Sequence, residues 1–169
     1  MIIGKHWDFF LQLDVITTAE RLGDDTPWIY GPFNFWIDNI PYPGNGVNIT
    51  FNSTVWIIVR DYEDSLKYEY DGSNIPFEQI NFDDEDNYHD DSIKHHLYEC
   101  EFGELPDYGL RTKFEIVGDT LRFFYSQNDG AWQLKEIPLA YYESIIKKLD
   151  KLCKENFKSL LDDRFNNNN

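Results

Sequence analysis

The chain has 169 residues, and its aspartates and glutamates outnumber its lysines and arginines by 31 to 15, which gives a formal net charge of −16. This length fits one domain with a sizeable core, and an aromatic content of 17% is well above that of a disordered chain. A surface of this charge repels nucleic acid and anionic membranes and attracts basic partners. We therefore predict a folded acidic protein that does not bind nucleic acid or membranes directly.

The cellular location is predicted from features that the chain lacks. Two cysteines, Cys100 and Cys153, do not suggest a disulfide framework in a chain of this size. The first ten residues have no signal-peptide pattern, and no stretch approaches the ~20 apolar residues needed to span a bilayer. These features predict a cytoplasmic protein with a single domain over residues 1–165 and a disordered Asn tail at 166–169.

The N-terminal part of the chain is predicted to form strands. Apolar residues alternate over 7–16, which indicates a strand against a core, and the polar stretch over 17–27 is typical of a loop. A second strand over 28–37 is followed by Asp38-Asn39 and a short return over 40–42. Asp and Asn tolerate left-handed backbone angles, so this pattern predicts a hairpin.

Residues 54–70 fit two different structures. Thr54–Arg60 is rich in β-branched residues and fits a strand, whereas Ser53 or Thr54 fits equally well as the cap of a helix that continues to Leu66. The later part of the segment favours a helix. The pattern does not decide between the two.

The C-terminal part predicts a three-stranded meander and a long helix. The strands cover residues 111–117, 120–126 and 131–137, with a tight turn at Gly118-Asp119 between the first two, and Pro138 ends the third. After it, apolar residues recur at three- and four-residue steps on one helical stripe: Tyr142, Ile145, Ile146, Leu149, Leu152, Cys153, Phe157, Leu160 and Leu161.

These elements predict an α+β fold. It is a mostly antiparallel β-sheet of two hairpins or meanders, with the long C-terminal helix packed on one face. Several lysines lie off the apolar stripe of the helix, so a basic amphipathic helix on a membrane surface is the alternative. The strongly negative charge of the chain argues against that alternative.

The middle of the chain carries most of the negative charge. Between Asp61 and Asp91 there are twelve acidic residues and one lysine, Lys67, so this segment holds eleven of the sixteen excess charges. It fits either a solvated, partly mobile loop or a docking surface for a basic partner, since aromatic residues are interleaved with the acids as they are at protein interfaces. The predicted partner-binding residues are Phe82, Asp83, Asp84, Glu85, Asp86, Tyr88, Asp90 and Asp91.

The same segment also holds potential metal ligands, namely Asp83, Asp84, Asp86, His89, Asp90, His95 and His96. Their spacing matches neither a calcium loop nor the His-Glu-x-x-His zinc helix. The sequence has no Gly-rich phosphate loop, nucleophile elbow or Cys-His signature. We expect no enzymatic activity, no cofactor and no specific metal site. A small metal-dependent hydrolase and an acidic adaptor or nucleic-acid mimic are the alternatives.

Three stretches carry a resemblance to a known family. They are Met1-Ile2-Ile3-Gly4 with the alternating residues 9–16, the Gly-x-Phe-Asn strand, turn and Tyr-Pro ending of residues 31–43, and residues 121–138 running into the helix. In this order they resemble the immunity protein 42 family of bacterial polymorphic-toxin and contact-dependent growth inhibition systems. The chain departs from the family pattern at Asn39, where Gly is usual, and in its unusually acidic residues 61–98.

The resemblance implies a small cytoplasmic protein that is encoded beside a toxin, binds the toxin domain of its own lineage and blocks it. Many such toxins are nucleases, and a nuclease site must be basic to hold phosphate. An acidic inhibitor complements such a site by charge. The expected partner is therefore a basic C-terminal toxin domain with nuclease activity, bound non-covalently by a monomer or weak dimer of this chain.

Overall fold

The computed structural model describes residues 1–5, 8–19, 27–44, 46–68, 70, 75–82 and 97–166, with side chains described as far as residue 162. Within these ranges the strands are β1 (Ile2–Lys5), β2 (Phe9–Leu13), β3 (Thr17–Ala19), β4 (Trp28–Ile37), β5 (Ile40–Tyr42), β6 (Asn48–Thr50), β7 (Tyr98–Cys100), β8 (Leu110–Val117), β9 (Thr120–Gln127) and β10 (Gln133–Pro138). The helices are α1 (Phe51–Ser65), α2 (Leu139–Lys154), α3 (Lys158–Asn166) and two short 3₁₀ helices at Phe77–Gln79 and Leu105–Tyr108.

The N-terminal sheet is built around β4. The first half of β4 pairs with β3 and β6, its second half pairs with β2 and β5, and β1 adds to the outer edge of β2, all antiparallel. Asp38 and Asn39 join β4 to β5 with φ angles of 49° and 66°, the left-handed values that a two-residue hairpin turn uses. The predicted hairpin is confirmed.

The predicted N-terminal elements need three corrections. The strand expected over 7–16 is the shorter β2, the expected loop begins instead with β3, and β1 was not predicted at all. The regular pairing of β2 with β4 ends at Leu13 and Phe33, next to Pro32, which has no N–H to donate. The N–H groups of Asp14 and Ile16 still donate to the Pro32 and Tyr30 carbonyls, and pairing with β4 resumes in β3.

The C-terminal sheet has the strand order β10-β9-β8-β7, with every neighbouring pair antiparallel. Val117 pairs with Thr120 across the predicted turn, where Gly118 has a φ of 59° that L side chains rarely adopt. The predicted meander is confirmed with small shifts of its ends. β7 extends it by a fourth strand at the outer edge of β8.

One hydrophobic core joins the two sheets and the helices. The Phe9 ring of β2 lies 5.4 Å from the Phe123 ring of β9 and 5.7 Å from the Tyr142 ring of α2. Tyr142 also contacts Phe114 of β8 and Tyr62 of α1, at 5.6 and 5.5 Å. The α+β fold class, with antiparallel sheets and a C-terminal helix against them, is therefore confirmed.

The segment that fitted two structures, residues 54–70, is helical from Thr54 to Ser65, where α1 ends. Its β-branched residues Thr54, Val55 and Ile58 are completely buried against the core. Neither Ser53 nor Thr54 caps the helix, because its N-cap residue is Thr50. Burial of one helical face thus outweighs the intrinsic strand preference of these side chains.

The predicted C-terminal stripe spans two helices rather than one. α2 ends at Lys154, and Asn156 and Phe157 adopt left-handed angles before α3 begins. The Phe157 N–H donates to the Leu152 carbonyl at 2.8 Å, which is the six-to-one bond of a Schellman cap. Phe157 and Leu160 remain buried, so the stripe continues across the break.

Two further predictions concern the membrane and the terminus. None of the helices in the described residues combines the length and the apolar character that spanning a bilayer requires. α3 ends at Asn166, the first residue of the predicted Asn tail, and residues 167–169 lie outside the described residues.

Candidate partner-binding surface

Phe82 is the first residue of the predicted partner-binding set, and it lies against the C-terminal sheet. Its ring stacks on the Trp132 indole with centroids 4.6 Å apart and planes 13° from parallel. It also meets the Phe124 ring edge-on at 5.3 Å, and Phe77 stacks on the same ring at 6.3 Å. We call Phe77, Phe82, Phe124 and Trp132 the aromatic platform. Its contacts fix residues 77–82 on the sheet.

The platform lies on the outer face of the sheet because β9 carries two consecutive phenylalanines. Neighbouring residues of a strand point to opposite faces, so Phe123 enters the core and Phe124 points away from it. Lys113 of β8 and Leu134 of β10 are the cross-strand neighbours of Phe124. Phe124 is nevertheless fully buried, because the rings of the platform cover it.

Two cations complete the platform. The Arg111 guanidinium and the Lys113 ammonium lie 5.4 and 5.8 Å from the centroid of the Trp132 ring. Lys113 Nζ also donates to the carbonyl oxygen of Phe82 at 3.4 Å and lies 3.9 Å from a carboxylate oxygen of Glu99. Phe82 is therefore held by an aromatic stack and by a lysine. The predicted acidic run begins at the next residue, Asp83.

A buried ion pair lies beside the platform on the same face of the sheet. Glu115 of β8 and Arg122 of β9 are cross-strand neighbours, and their carboxylate and guanidinium form an ion pair. The two residues are only 5% and 3% exposed. The Arg122 guanidinium also lies 5.1 Å from the centroid of the Phe124 ring. The pair therefore supports the platform from its side.

The remaining predicted partner-binding residues lie outside the described residues: Asp83, Asp84, Glu85, Asp86, Tyr88, Asp90 and Asp91. The same is true of the potential metal ligands His89, His95 and His96. Among the residues that are described, no group of three or more His, Cys, Asp or Glu side chains is placed to hold a metal ion. Leu97 is the next residue that the structure describes, and it directly precedes β7 at the edge of the C-terminal sheet.

A second surface is formed by α1 and the residue after β7. Trp56 is 55% exposed, more than any other large apolar side chain in the described ranges. The Arg60 guanidinium lies 5.3 Å from the Trp56 ring centroid and forms ion pairs with Glu101 and Asp61. Glu63 is exposed one turn further along the helix. We call Trp56, Arg60, Glu63 and Glu101 the Trp56 surface.

Asp61, Cys100 and Cys153 are titratable groups whose pKa values are shifted by burial. Burial raises the pKa of Asp61, against the lowering effect of the Phe102 N–H, which donates to Asp61 Oδ2 at 2.9 Å, and of the Arg60 charge. Burial also raises the pKa of Cys100 well above its ordinary value and that of Cys153 to about 11. Both thiols are therefore protonated near neutral pH, and neither is an activated nucleophile.

Comparison with known proteins identifies the family. The family model described as immunity protein 42 matches residues 1–152, which include the platform and the Trp56 surface. The chain belongs to the immunity protein 42 family. A solved structure titled "Crystal structure of CdiI from Burkholderia dolosa AUO158" is similar with a TM-score of 0.58 and 13% identity, over 91% of this chain and 99% of that chain. At this identity the likeness shows a shared fold. No curated protein matches the chain.

The stretches that carry the resemblance to the immunity protein 42 family lie mostly in β-strands, and residues 121–138 also contribute Phe124 and Trp132 to the aromatic platform. Residues 31–43 contain the last seven residues of β4 and all of β5, and residues 121–126 lie in β9. The Trp56 surface was missed because residues 54–70 fitted two structures. Trp56, Arg60 and Glu63 are spaced by four and three residues. In a helix this spacing places them on one face, but the pattern could be interpreted only once the segment was known to be a helix.

Proposed function

We propose that the chain is an immunity protein that binds and neutralises the toxin domain of its own lineage by non-covalent, charge-complementary contact. Membership of the immunity protein 42 family over residues 1–152 is the observation that carries this proposal. The net charge of −16 supports a basic partner, because attraction between opposite charges steers association and repulsion between like charges disfavours acidic partners.

The proposed toxin-binding surface is the acidic segment that follows the aromatic platform. Its residues are Phe82, Asp83, Asp84, Glu85, Asp86, Tyr88, Asp90 and Asp91. The stacking of Phe82 on Trp132 and the Lys113 contact to the Phe82 carbonyl hold the start of this segment in one place. The carboxylates would steer the toxin, and the aromatic side chains would supply the apolar contact that stabilises the complex.

The proposed toxin is a basic C-terminal domain with nuclease activity. A nuclease needs cations to hold the phosphates of its substrate, and a dense set of carboxylates can occupy the same cations. In this account the chain acts in the cytoplasm as a monomer or weak dimer, inhibits without catalysis and requires no cofactor.

The proposal is tested by expressing the chain together with the C-terminal domain of the large exported protein encoded immediately upstream. Growth that is restored by the chain, together with co-purification of the two proteins, would support an immunity function. A toxin domain that still kills the cells, or that does not co-purify, would contradict it. An upstream gene of another kind would favour the adaptor alternative.

The contribution of the acidic segment is tested with two variants of equal charge. The first replaces Asp83, Asp84, Asp86, Asp90 and Asp91 with Asn. The control neutralises five exposed acids elsewhere: Asp107, Asp119, Asp129, Glu155 and Asp162. We expect the first variant to lose protection against the toxin and the control to keep it. Equal losses would mean that net charge, rather than this segment, determines binding.

A further inference from the structure

We propose that the Trp56 surface is a second contact for the same basic toxin domain, with Trp56 as its anchoring side chain. The inference rests on the proposed function, because it assigns a further surface to the same partner. Three properties of the surface support it: the rigidity of an exposed tryptophan, the charge around it, and its connection to the aromatic platform.

The Trp56 side chain is exposed but held in place. The Arg60 guanidinium lies over the indole at 5.3 Å and is itself fixed by ion pairs with Glu101 and Asp61. We call Arg60 and its two carboxylate partners the clamp around Trp56. Asp61 is buried and accepts a hydrogen bond from the Phe102 N–H, so the clamp is anchored to the backbone. A tryptophan that is already ordered loses little conformational entropy on binding, and tryptophan is among the side chains that contribute most to interfaces.

The charge of the Trp56 surface fits a basic partner. Glu101 is 69% exposed and Glu63 is exposed on the same side of α1 as Trp56. Arg60, the cation among the four residues of the surface, is already ion-paired with carboxylates. Lys67 and Lys154, which lie near Glu63, are ion-paired with Asp64 and Asp150. A second copy of this chain would bring the same exposed acids and a net charge of −16 to the contact. Charge complementarity therefore favours a basic protein over self-association.

The Trp56 surface is connected to the platform across the edge of the C-terminal sheet. Glu101 follows Glu99 by two residues, and Glu99 lies 3.9 Å from Lys113. Lys113 in turn donates to the Phe82 carbonyl and lies over the Trp132 ring. Side-chain contacts, together with the two-residue backbone step from Glu99 to Glu101, thus link Trp56 to Phe82, from which the acidic segment starts. In this proposal one toxin domain contacts both surfaces.

The experiment compares Trp56→Ala with Leu66→Ala, a matched control because Leu66 also belongs to the α1 region and is 52% exposed. The association and dissociation rates of a catalytically inactive toxin domain are measured on each purified variant. We expect Trp56→Ala to weaken binding at least about 30-fold, chiefly through faster dissociation, as is usual for an apolar anchor. Leu66→Ala should stay within about twofold of wild type.

A second variant keeps the indole and loosens its clamp. Arg60→Lys retains the charge but loses the planar guanidinium that stacks on Trp56 and pairs with Glu101. We expect it to weaken toxin binding about 3- to 10-fold, which corresponds to part of the contribution of a rigid anchor. Thermal unfolding of all variants is recorded in parallel, so that a loss of affinity is scored only for folded protein.

The outcomes separate this inference from the proposed function. If wild type binds the toxin and Trp56→Ala binds it equally well, the second contact is wrong and the immunity function stands. If wild type itself does not bind, the proposed function fails and the inference fails with it. If Trp56→Ala converts a wild-type dimer into a monomer with unchanged toxin affinity, the surface serves self-association and the inference is wrong.

Discussion

The Phe82 ring lies almost parallel to the Trp132 indole, with centroids 4.6 Å apart, and this contact joins two positions that are far apart in sequence. We predict that Phe82→Ala lowers the free energy of unfolding by about 1–2 kcal/mol, because the ring also contacts Phe124. Toxin affinity should fall too, since residue 82, from which the acidic segment starts, loses its ring contacts with Trp132 and Phe124. Gln79→Ala, an exposed change in the neighbouring 3₁₀ helix, is the control.

Urea denaturation and toxin binding of the two variants check this prediction. Unchanged stability of Phe82→Ala would mean that the stack contributes nothing to the fold. Reduced stability with unchanged toxin affinity would mean that the platform does not position the docking segment.

The buried ion pair of Glu115 and Arg122 leads to a prediction about single and double variants. Glu115→Leu leaves the Arg122 guanidinium buried without its carboxylate, and we expect it to lower the free energy of unfolding by about 3–5 kcal/mol. Adding Arg122→Met removes the stranded charge and should restore most of that loss. A double variant that is less stable than the single variant, in equilibrium denaturation, would contradict this view of the pair.

Asp61 is predicted to make stability depend on pH. Burial raises the pKa of Asp61 above its ordinary value of 3.8, so the native state holds the proton more tightly than the unfolded state does. The contribution of Asp61 to the free energy of unfolding therefore falls as pH rises from the unfolded pKa through the raised native pKa. Relative to Asp61→Asn, wild type should lose stability as the pH is raised from about 4 to about 7.

Urea denaturation of both proteins across this pH range measures the difference directly. The substitution keeps an oxygen that can accept the Phe102 N–H, so the comparison isolates the charge. A difference that grows in favour of wild type with rising pH would show that the charged form of Asp61 is stabilised instead.

The Tyr142 hydroxyl provides a further test, because it is buried and has no hydrogen-bond partner among the residues that the structure describes. We expect Tyr142→Phe to leave the free energy of unfolding unchanged or to raise it by up to about 1 kcal/mol. The matched control is Tyr125→Phe, which removes a hydroxyl that bonds Gln133 at 3.0 Å and should cost about 0.5–1.5 kcal/mol. Thermal unfolding of both variants distinguishes the two cases, and a larger loss for Tyr142→Phe would contradict the prediction.

The elements that could be predicted from the sequence are those whose determinants are local. The Asp38-Asn39 and Gly118-Asp119 turns depend on residues that tolerate left-handed angles, and both turns have such angles in the structure. α1 could not be assigned in this way, because Thr54 and Ile58 prefer strands and are helical only through burial against the core.

The break between α2 and α3 escaped prediction for a related reason. Phe157 and Leu160 continue the apolar stripe and are buried, so the pattern alone gives no sign of an interruption. The break is marked by the left-handed angle of Asn156 and by the capping bond from Phe157 to Leu152. These are features of backbone conformation rather than of hydrophobic spacing.

The candidate surfaces show the same limit. Composition alone indicated an acidic segment with interleaved aromatic residues, and Phe82 was assigned to it. The stacking of Phe82 on Trp132 depends on the packing of distant segments, which periodicity does not reveal. The clamp around Trp56 likewise depends on Glu101, a residue brought to α1 by the pairing of β7 with β8.

The most direct test of the proposed function is the dissociation constant of the complex between this chain and the C-terminal domain of the upstream exported protein, measured at low and high ionic strength. We expect a one-to-one complex that weakens as salt increases, and a smaller salt dependence for the variant with Asn at 83, 84, 86, 90 and 91. The absence of binding at either ionic strength would contradict the immunity function. Equal affinity and equal salt dependence of the variant would contradict the acidic docking surface.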